Sequence, residues 1–118
     1  MNNPSFSFPR KRIIDKSDDF RSLYRDGRRL KGKSVTIFYR QSVGRPFRVG
    51  FSTRKKLAGA VGRNRARRLM REVIRLHQHE IRKDIECLLV WHGQVRSIRY
   101  ADAEREIMGL LREGSLLR

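Results

Sequence analysis

The spacing of apolar and polar residues in the first half of the chain predicts a short helix followed by two strands. The helix over residues 18–26 follows an N-cap at Ser17, has acidic residues in its first turn and ends at a glycine. Residues 34–40 alternate between apolar and polar side chains, which is the period of a strand, and residues 47–53 return as a second strand. The Gly-Arg-Pro turn at 44–46 predicts that these two strands pair as an antiparallel hairpin.

The second half of the chain predicts a long helix, a buried strand and a final helix. Apolar residues recur with helical spacing over 57–81 and again over 100–112. The continuous apolar run 85–91 is typical of a central strand that is buried on both faces. The element order α-β-β-α-β-α predicts an α+β fold, a two-layer sandwich of helices on a small, mostly antiparallel sheet that can include one extra short strand.

Length and composition predict one domain. A chain of 118 residues is long enough for a single hydrophobic core, so we expect a single domain over 1–118. Residues 1–12 contain two prolines and no periodic pattern, and we expect a flexible basic arm there.

Positive charge is concentrated on the long helix. Between Arg54 and Arg75 there are nine Lys or Arg residues and the single acid Glu72, so ion pairs within the helix cannot neutralise this segment. At 100° per residue, six of its polar residues share an arc of about 140°. They are Arg63, Asn64, Arg67, Arg68, Arg71 and Arg75. The opposing arc carries the apolar residues Ala66, Leu69, Met70, Val73 and Leu76. One face can therefore pack on a core while the other meets an anionic partner.

The whole chain is strongly basic. It has 29 basic and 12 acidic side chains, a net charge of +17 and a pI near 11.5, which makes nucleic acid the leading class of partner. Arg greatly outnumbers Lys, and the planar guanidinium suits bidentate phosphate contacts and stacking on bases. Codon bias in a GC-rich genome would produce the same excess of Arg, and the total charge does not depend on which explanation holds.

No pattern in the sequence predicts catalytic or metal-binding residues. His77 and His79 would project about 200° apart on a helix, which prevents them from sharing one metal ion. The lone Cys87 lies in the apolar run and is best explained as a buried structural thiol. No apolar segment of about 18 residues is present, so we expect a soluble, cytoplasmic protein without a membrane partner.

Aromatic residues in the first half of the chain allow two interpretations. They could form a platform on which single-stranded bases stack, or they could pack in the core. The core is favoured for Phe38 and Phe47, whereas for Phe20 and Tyr24 the two interpretations stay open. Trp91 is expected in the core or at the margin of the sheet.

Residues 54–72, RKKLAGAVGRNRARRLMRE, closely resemble the signature of the protein subunit of bacterial ribonuclease P. The Arg-Asn-Arg-x-x-Arg pattern after Lys-Lys and Ala-Val is far more specific than a chance basic cluster. The resemblance extends to the start of the first helix at 17–20, to the strand residues 48–52 and to the last strand and helix. Arg54 and the order Ala-Gly at 58–59 depart from the usual pattern, and they affect only the local shape where the long helix begins.

This resemblance implies a fold, an activity and a set of site residues. The fold would be an α+β sandwich with a left-handed β-α-β crossover, an exception to the usual right-handed rule. The protein would bind a large catalytic RNA and assist the removal of the 5′ leader from precursor transfer RNA. The chemistry would belong to the RNA, which would hold most of the Mg²⁺, with none bound by the protein alone. The residues implied to meet the catalytic RNA are Arg63, Asn64, Arg65, Arg67, Arg68 and Arg71. Those implied to line a cleft for the leader are Phe20, Tyr24, Val35, Ile37, Tyr39, Arg54, Lys55 and Lys56.

Three other classes of protein would share parts of this pattern. A ribosomal or ribosome-assembly protein would show the same charge, size and lack of catalytic groups. A DNA-binding domain would place the Arg-rich helix in a major groove, although no partner helix or dimer pattern is evident and DNA is not the expected partner. A protein-only nuclease would have to cleave precursor transfer RNA without an RNA subunit.

Overall fold

A computed structural model describes residues 7–42, 44, 46–54 and 59–118, and in it three helices cover the two faces of a four-stranded sheet. The helices are α1 (Ser17–Asp26), α2 (Gly59–His77) and α3 (Tyr100–Glu113), and the strands are β1 (Arg28–Lys31), β2 (Val35–Gln41), β3 (Arg48–Thr53) and β4 (Ile85–Trp91). Short 3-10 helices occur at Arg10–Arg12 and Gln78–Glu80. The predicted α+β class and element order are confirmed, with β1 as the extra short strand.

The sheet order is β1-β2-β4-β3, with β4 in the middle. The β1–β2 and β2–β4 pairings are antiparallel and the β3–β4 pairing is parallel. The predicted β2–β3 hairpin is therefore wrong, because β4 lies between these two strands. The physical reason is that β4 is the most apolar strand and gains burial on both faces and pairing on both edges. The turn residues at 44–46 cannot show that β4, which is distant in the sequence, pairs with both β2 and β3.

Alternation along the strands separates two cores. Toward α2 and α3, the main core contains seven side chains of the sheet that are almost wholly buried: Val35, Ile37, Val49, Ile85, Cys87, Leu89 and Trp91. On the opposite face, Phe38 and Leu88 pack against Ile14 and against Leu23 of α1. The core positions predicted for Phe38, Phe47, Cys87 and Trp91 are confirmed. Burial also raises the pKa of Cys87, so its thiol stays protonated.

Helix α2 packs on the main core as its apolar arc predicts, but it ends earlier than expected. Three residues of that arc, Ala66, Met70 and Val73, are fully buried, and so is Ile74, which lies at the edge of the polar arc. The helix ends at His77 because the next residue, Gln78, is buried and its side-chain amide donates to the carbonyl groups of Arg75 and Ser7, at 2.9 Å each. Ile81, the predicted last residue, instead forms an isolated bridge with Leu117. The predicted start at residue 57 lies outside the described residues.

The other two helices match their predicted bounds to within one residue. Ser17 is the first residue of α1 rather than its cap, and the N-cap position is Lys16, which makes no side-chain capping bond. Asp18 and Asp19 lie in the first turn, where carboxylates interact favourably with the helix dipole. Gly114 ends α3, as predicted.

The described part of the N-terminal segment contacts the rest of the protein, and the flexible arm expected over 1–12 stays a prediction. Phe8 makes an edge-to-face contact with Phe51, with ring centroids 6.4 Å apart. Ile13 bridges Val49 in parallel, so the segment extends the β3 edge of the sheet. This anchoring depends on single residues, which leave no periodic signal in the sequence. The first six residues of the predicted arm lie outside the described part.

A buried ion-pair network joins three strands to α1. Glu86 of β4 accepts hydrogen bonds from Arg40 of β2 at 2.5 Å and from Arg48 of β3 at 2.7 Å. Arg40 also donates to the hydroxyl of Ser22, and Arg48 lies 3.7 Å from the carboxylate of Asp19, both on α1. Burial alone would raise the pKa of Glu86, but the bonds from the two arginines outweigh it and hold that pKa below its usual value.

Replacement of the buried carboxylate should be costly. We expect Glu86→Gln to lower the free energy of unfolding by about 2 to 4 kcal/mol, because it leaves two partly buried guanidinium groups without their counter-charge. The wild-type contribution should be complete above about pH 4.5 and should be lost as the pH falls through the lowered pKa of Glu86. Urea unfolding at pH 7 and at intervals down to pH 3 measures both effects. Glu113→Gln, at an exposed position, is the matched control, and equal losses in the two variants would contradict the prediction.

Candidate RNA-binding surfaces

Helix α2 forms a basic ridge between two grooves. Its single acid, Glu72, is held by Arg75 through two hydrogen bonds of 3.1 and 2.5 Å, so it does not neutralise the cations nearer the start of the helix. Asn64 accepts a bond from Arg67 at 2.6 Å, which orients two of the predicted contact residues together. The ridge has the fixed positive surface that binds a nucleic-acid backbone without reading its sequence.

The first groove, here called the N-terminal groove, lies between α2, α1 and the N-terminal segment. Its cavity volume is about 580 Å³. It is lined by Ile13, Ile14, Asp15, Phe20, Phe51, Asn64, Arg67, Arg68 and Arg71. Phe20 approaches β3 closely: a Cβ on Gly50 would come within 2.5 Å of its ring, so the strand needs glycine here. An apolar floor thus lies beside a wall of arginines.

The second groove, here called the α3 groove, lies on the other flank of α2. Its cavity volume is about 780 Å³. It is lined by Val61, Asn64, Arg65, Arg68, Leu69, Arg71, Glu72 and Tyr100. Five of the six residues predicted to meet the catalytic RNA line one groove or both, and Arg63 lines neither.

A third surface, here called the sheet cleft, lies on the α1 side of the sheet, with a cavity volume of about 670 Å³. It is lined by Tyr24, Arg29, Lys31, Thr36, Phe38, Ser52, Thr53, Arg54, Val90 and His92. The ring of Tyr24 stacks on that of Phe38, with centroids 4.4 Å apart, while 60% of Tyr24 stays exposed. An exposed ring beside three cations suits a single-stranded segment whose bases stack and whose phosphates pair with the rim.

The structure corrects the predicted leader cleft. Val35 and Ile37 are fully buried beneath α2 and α3, so no ligand can reach them, and half-buried Tyr39 lies on the same side of β2. The open side of β2 carries Thr36 and Phe38 instead. The alternation of β2 had already placed Val35 and Ile37 on the more apolar face, opposite Thr36 and Arg40, and the two residues were assigned to the cleft only through the resemblance. Of the other predicted residues, Tyr24 and Arg54 line the sheet cleft, Phe20 lines the N-terminal groove, and Lys55 and Lys56 lie outside the described residues.

His92 is a polar residue of the sheet cleft that the sequence did not single out. Its Nε2 lies 3.0 Å from the hydroxyl of Thr36. Burial, with a smaller effect from the nearby cations Arg54 and Lys31, lowers its pKa. The imidazole is therefore neutral near pH 7, with a ring nitrogen that can accept a hydrogen bond.

The titratable groups do not form a metal site in the described ranges. No group of three or more His, Cys, Asp or Glu side chains there could hold a metal ion. His77 is engaged instead with two carboxylates, Glu80 at 2.5 Å and Glu104 at 2.7 Å, and Tyr100 donates to the same Glu104 oxygen at 3.0 Å. This cluster connects α2 to α3. None of the helices in the described part of the chain has the length and apolar character that a membrane span needs.

A basic helical ridge and a basic, aromatic cleft on one α+β scaffold define an RNA-binding protein. The chain belongs to the ribonuclease P protein family, because the family model described as Ribonuclease P matches residues 8–114. It is therefore a protein subunit of ribonuclease P, the enzyme that matures the 5′ ends of transfer RNA. This match confirms the resemblance seen in the sequence and favours a subunit of ribonuclease P over a ribosomal protein.

Individual relatives and solved structures agree with this assignment. The chain is 41% identical over 85 residues to the ribonuclease P protein component of Dictyoglomus thermophilum, covering 72% of this chain and 71% of the relative. It is 27% identical over 107 residues to that of Syntrophomonas wolfei, covering 91% and 90%. The RNase P protein structure from Staphylococcus aureus superposes with a TM-score of 0.80 at 21% identity, covering 91% and 98% of the two chains. The structure from Thermotoga maritima gives 0.77 at 18%, covering 86% and 96%. Both structures share the fold.

The His77 cluster predicts a pH-dependent contribution to stability. Burial alone would lower the pKa of His77, but the bonds to Glu104 and Glu80 outweigh it and raise that pKa. The stabilisation should be complete below about pH 6.5, the usual value for an unfolded chain, and should be lost as the pH rises through the raised pKa. We expect His77→Gln to remove this dependence, worth about 1 kcal/mol or less because the carboxylates are partly exposed.

Urea unfolding of wild type and variant at intervals from pH 5.5 to pH 9 measures this effect. Glu104→Gln removes one of the two carboxylates and should reduce the pH dependence by an intermediate amount. An unchanged pH profile in His77→Gln would contradict the role assigned to the cluster.

Proposed function

We propose that this subunit bridges two RNAs, with α2 on the catalytic RNA of ribonuclease P and the sheet cleft on the 5′ leader of precursor transfer RNA. The observation that carries the proposal is the division of the basic surface. The ridge of α2 lies on one side of the sheet, whereas Tyr24, Phe38 and their neighbouring cations lie on the other. Two separate surfaces allow one protein to hold two polyanions at once.

The positive charge of the protein explains why such a bridge would help two RNAs to associate. Two RNAs brought together repel each other, and a chain of net charge +17 placed between them offsets that repulsion. Salt and Mg²⁺ screen the same repulsion, so the benefit of the protein should be largest when both are low. The cytoplasm, where bacterial transfer RNA is made, is the compartment that we propose for this function.

The chemistry is proposed to remain with the RNA. Within the described ranges, no group of three or more His, Cys, Asp or Glu side chains could hold a metal ion. We propose that Mg²⁺ is held mainly by the RNA subunit. The protein residues bind and orient the two RNAs, and none of them is assigned a proton transfer.

Contact with the leader would also separate substrate from product. Mature transfer RNA lacks the leader, so binding energy gained in the sheet cleft favours the precursor alone. A stacked base on an exposed aromatic ring contributes about 1 to 3 kcal/mol and does not depend strongly on sequence. Tyr24, supported from below by Phe38, is the residue best placed to supply it.

The role of α2 can be tested by removing charge. We expect Arg67→Ala with Arg68→Ala to weaken binding to a bacterial catalytic RNA and to lower the log–log salt slope by roughly 2. Arg105→Ala with Arg112→Ala removes the same charge from exposed positions on α3 and is the matched control. Filter binding from 50 to 400 mM salt gives the slopes. Similar slopes for the two double variants would contradict a specific role for α2.

The role of the sheet cleft can be tested by comparing precursor with mature transfer RNA. In holoenzyme reconstituted at low Mg²⁺, Tyr24→Ala should weaken precursor binding by about 1 to 3 kcal/mol and leave product binding unchanged. Tyr24→Phe keeps the ring and should behave like wild type. Equal losses for precursor and product would exclude Tyr24 from the leader site.

A further inference from the structure

We propose that the α3 groove binds a short unpaired segment of the catalytic RNA. Its bases would lie along an apolar floor made by Val61, Leu69 and Tyr100, and its phosphates would pair with Arg65 and Arg68. This inference rests on the proposed function and extends it, because it adds a base-binding contact on the flank of α2 that faces α3.

The floor of the groove is apolar although it faces solvent. Val61 is 84% exposed, and with Tyr24 it is one of two large hydrophobic residues so exposed in the described ranges. Leu69 lies on the same flank of α2, and Tyr100 begins α3 opposite them. The cavity volume of about 780 Å³ lies within the range of small-molecule sites. Aliphatic and aromatic side chains in such a groove fit the flat face of a nucleobase.

The rim of the groove has a cation that is already oriented. The Arg65 guanidinium donates through Nη2 to the carbonyl of Ile98 at 2.7 Å. A guanidinium has five N–H donors, so the others remain available for a phosphate. Because the side chain is held in place before binding, less conformational entropy is lost when the phosphate arrives. Arg68, which is exposed on α2, provides a second cation beside it.

The acids near the groove are occupied by other groups. Glu72 is held by Arg75 at 2.5 Å, and Glu104 accepts hydrogen bonds from His77 and Tyr100. Their negative charge is therefore largely compensated within the protein. The remaining field at the rim is positive, which complements a phosphate.

RNA fits this site better than a second copy of the chain does. Another copy also carries a charge of +17, so the two basic surfaces would repel each other. A nucleotide has the required combination of negative charge and a flat, weakly polar face. Asn64 and Arg68 line both grooves, so RNA seated on the ridge of α2 reaches the α3 groove without leaving the protein.

Site-directed cross-linking tests the proposal directly. The one native cysteine, Cys87, is fully buried and its pKa is raised by that burial, so an introduced thiol can be labelled selectively. Val61→Cys, carrying an aryl azide, is assembled with catalytic RNA, irradiated and mapped by primer extension. We expect cross-links to one short unpaired segment. Arg112→Cys, labelled in the same way at an exposed position of α3, should give none.

Binding measurements provide an independent readout. Val61→Ser and Tyr100→Ala should each weaken affinity for the catalytic RNA by about three- to tenfold without changing the salt slope, because they remove apolar contact and no charge. Arg65→Ala should lower the slope by about 1. Tyr100→Phe keeps the ring and should bind like wild type. Val61 is 84% exposed, so its substitution should not destabilise the fold. The Val61→Ser measurement therefore tests the proposal even if Tyr100→Ala is unstable.

The outcomes separate this inference from the proposed function. An active holoenzyme that gives no cross-link from position 61, or gives one to protein or to precursor, overturns the nucleotide site alone. Unchanged affinity in Val61→Ser together with Tyr100→Ala overturns it as well. Failure of the unsubstituted protein to bind the catalytic RNA overturns the proposed function and this inference together.

Discussion

The parallel pairing of β3 with β4 determines where the basic helix lies. Parallel neighbours cannot be joined by a tight turn, so the chain must cross over one face of the sheet between them, and α2 is part of that crossover. The inner side of α2 then becomes core, with Ala66, Met70 and Val73 fully buried. Each large apolar side chain buried there contributes roughly 1.5 to 3 kcal/mol, which holds the arginines of the opposite side in a fixed outward direction. The outward position of the basic ridge is thus a consequence of the sheet topology.

Three acids of this basic chain hold elements of the fold together. Glu86 joins three strands through two arginines, and Glu106 of α3 accepts the backbone N–H groups of Ser34 and Val35 at 2.8 and 2.7 Å. Glu104 ties α3 to α2 through His77. Carboxylates in these positions hold elements together, and they leave the arginines of the outer face of α2 to act on an external polyanion. The negative charges of these carboxylates reduce the repulsion among the 29 cations at the places where strands and helices meet.

Local patterns predicted the helices and the central strand, but they could not predict what lies next to them. The spacing of apolar residues on α2 indicates one buried helix face, and the apolar run of β4 indicates a buried strand. Neither pattern indicates which other element packs against it. The hairpin error concerns a distant contact, which no local period reports. The assignment of Val35 and Ile37 to the leader cleft came from the resemblance, and their burial agrees with the alternation of β2. Strand β1, with the sequence RRLK, has too few apolar residues for alternation to show. The α3 groove joins residues of two helices that are far apart in the chain, so only the fold brings them together.

The proposed bridge requires that the two RNA-binding surfaces keep a fixed relative position, and the end of β3 provides this constraint. Arg54 lines the sheet cleft, and α2 begins at Gly59. Five residues span at most about 18 Å, so a leader held beside Arg54 lies near RNA held by the first turns of α2. Both ends of this link are anchored, because β3 pairs with β4 and α2 is packed on the main core. A protein built in this way can set the distance between leader and catalytic RNA without contributing any chemical group to the cleavage.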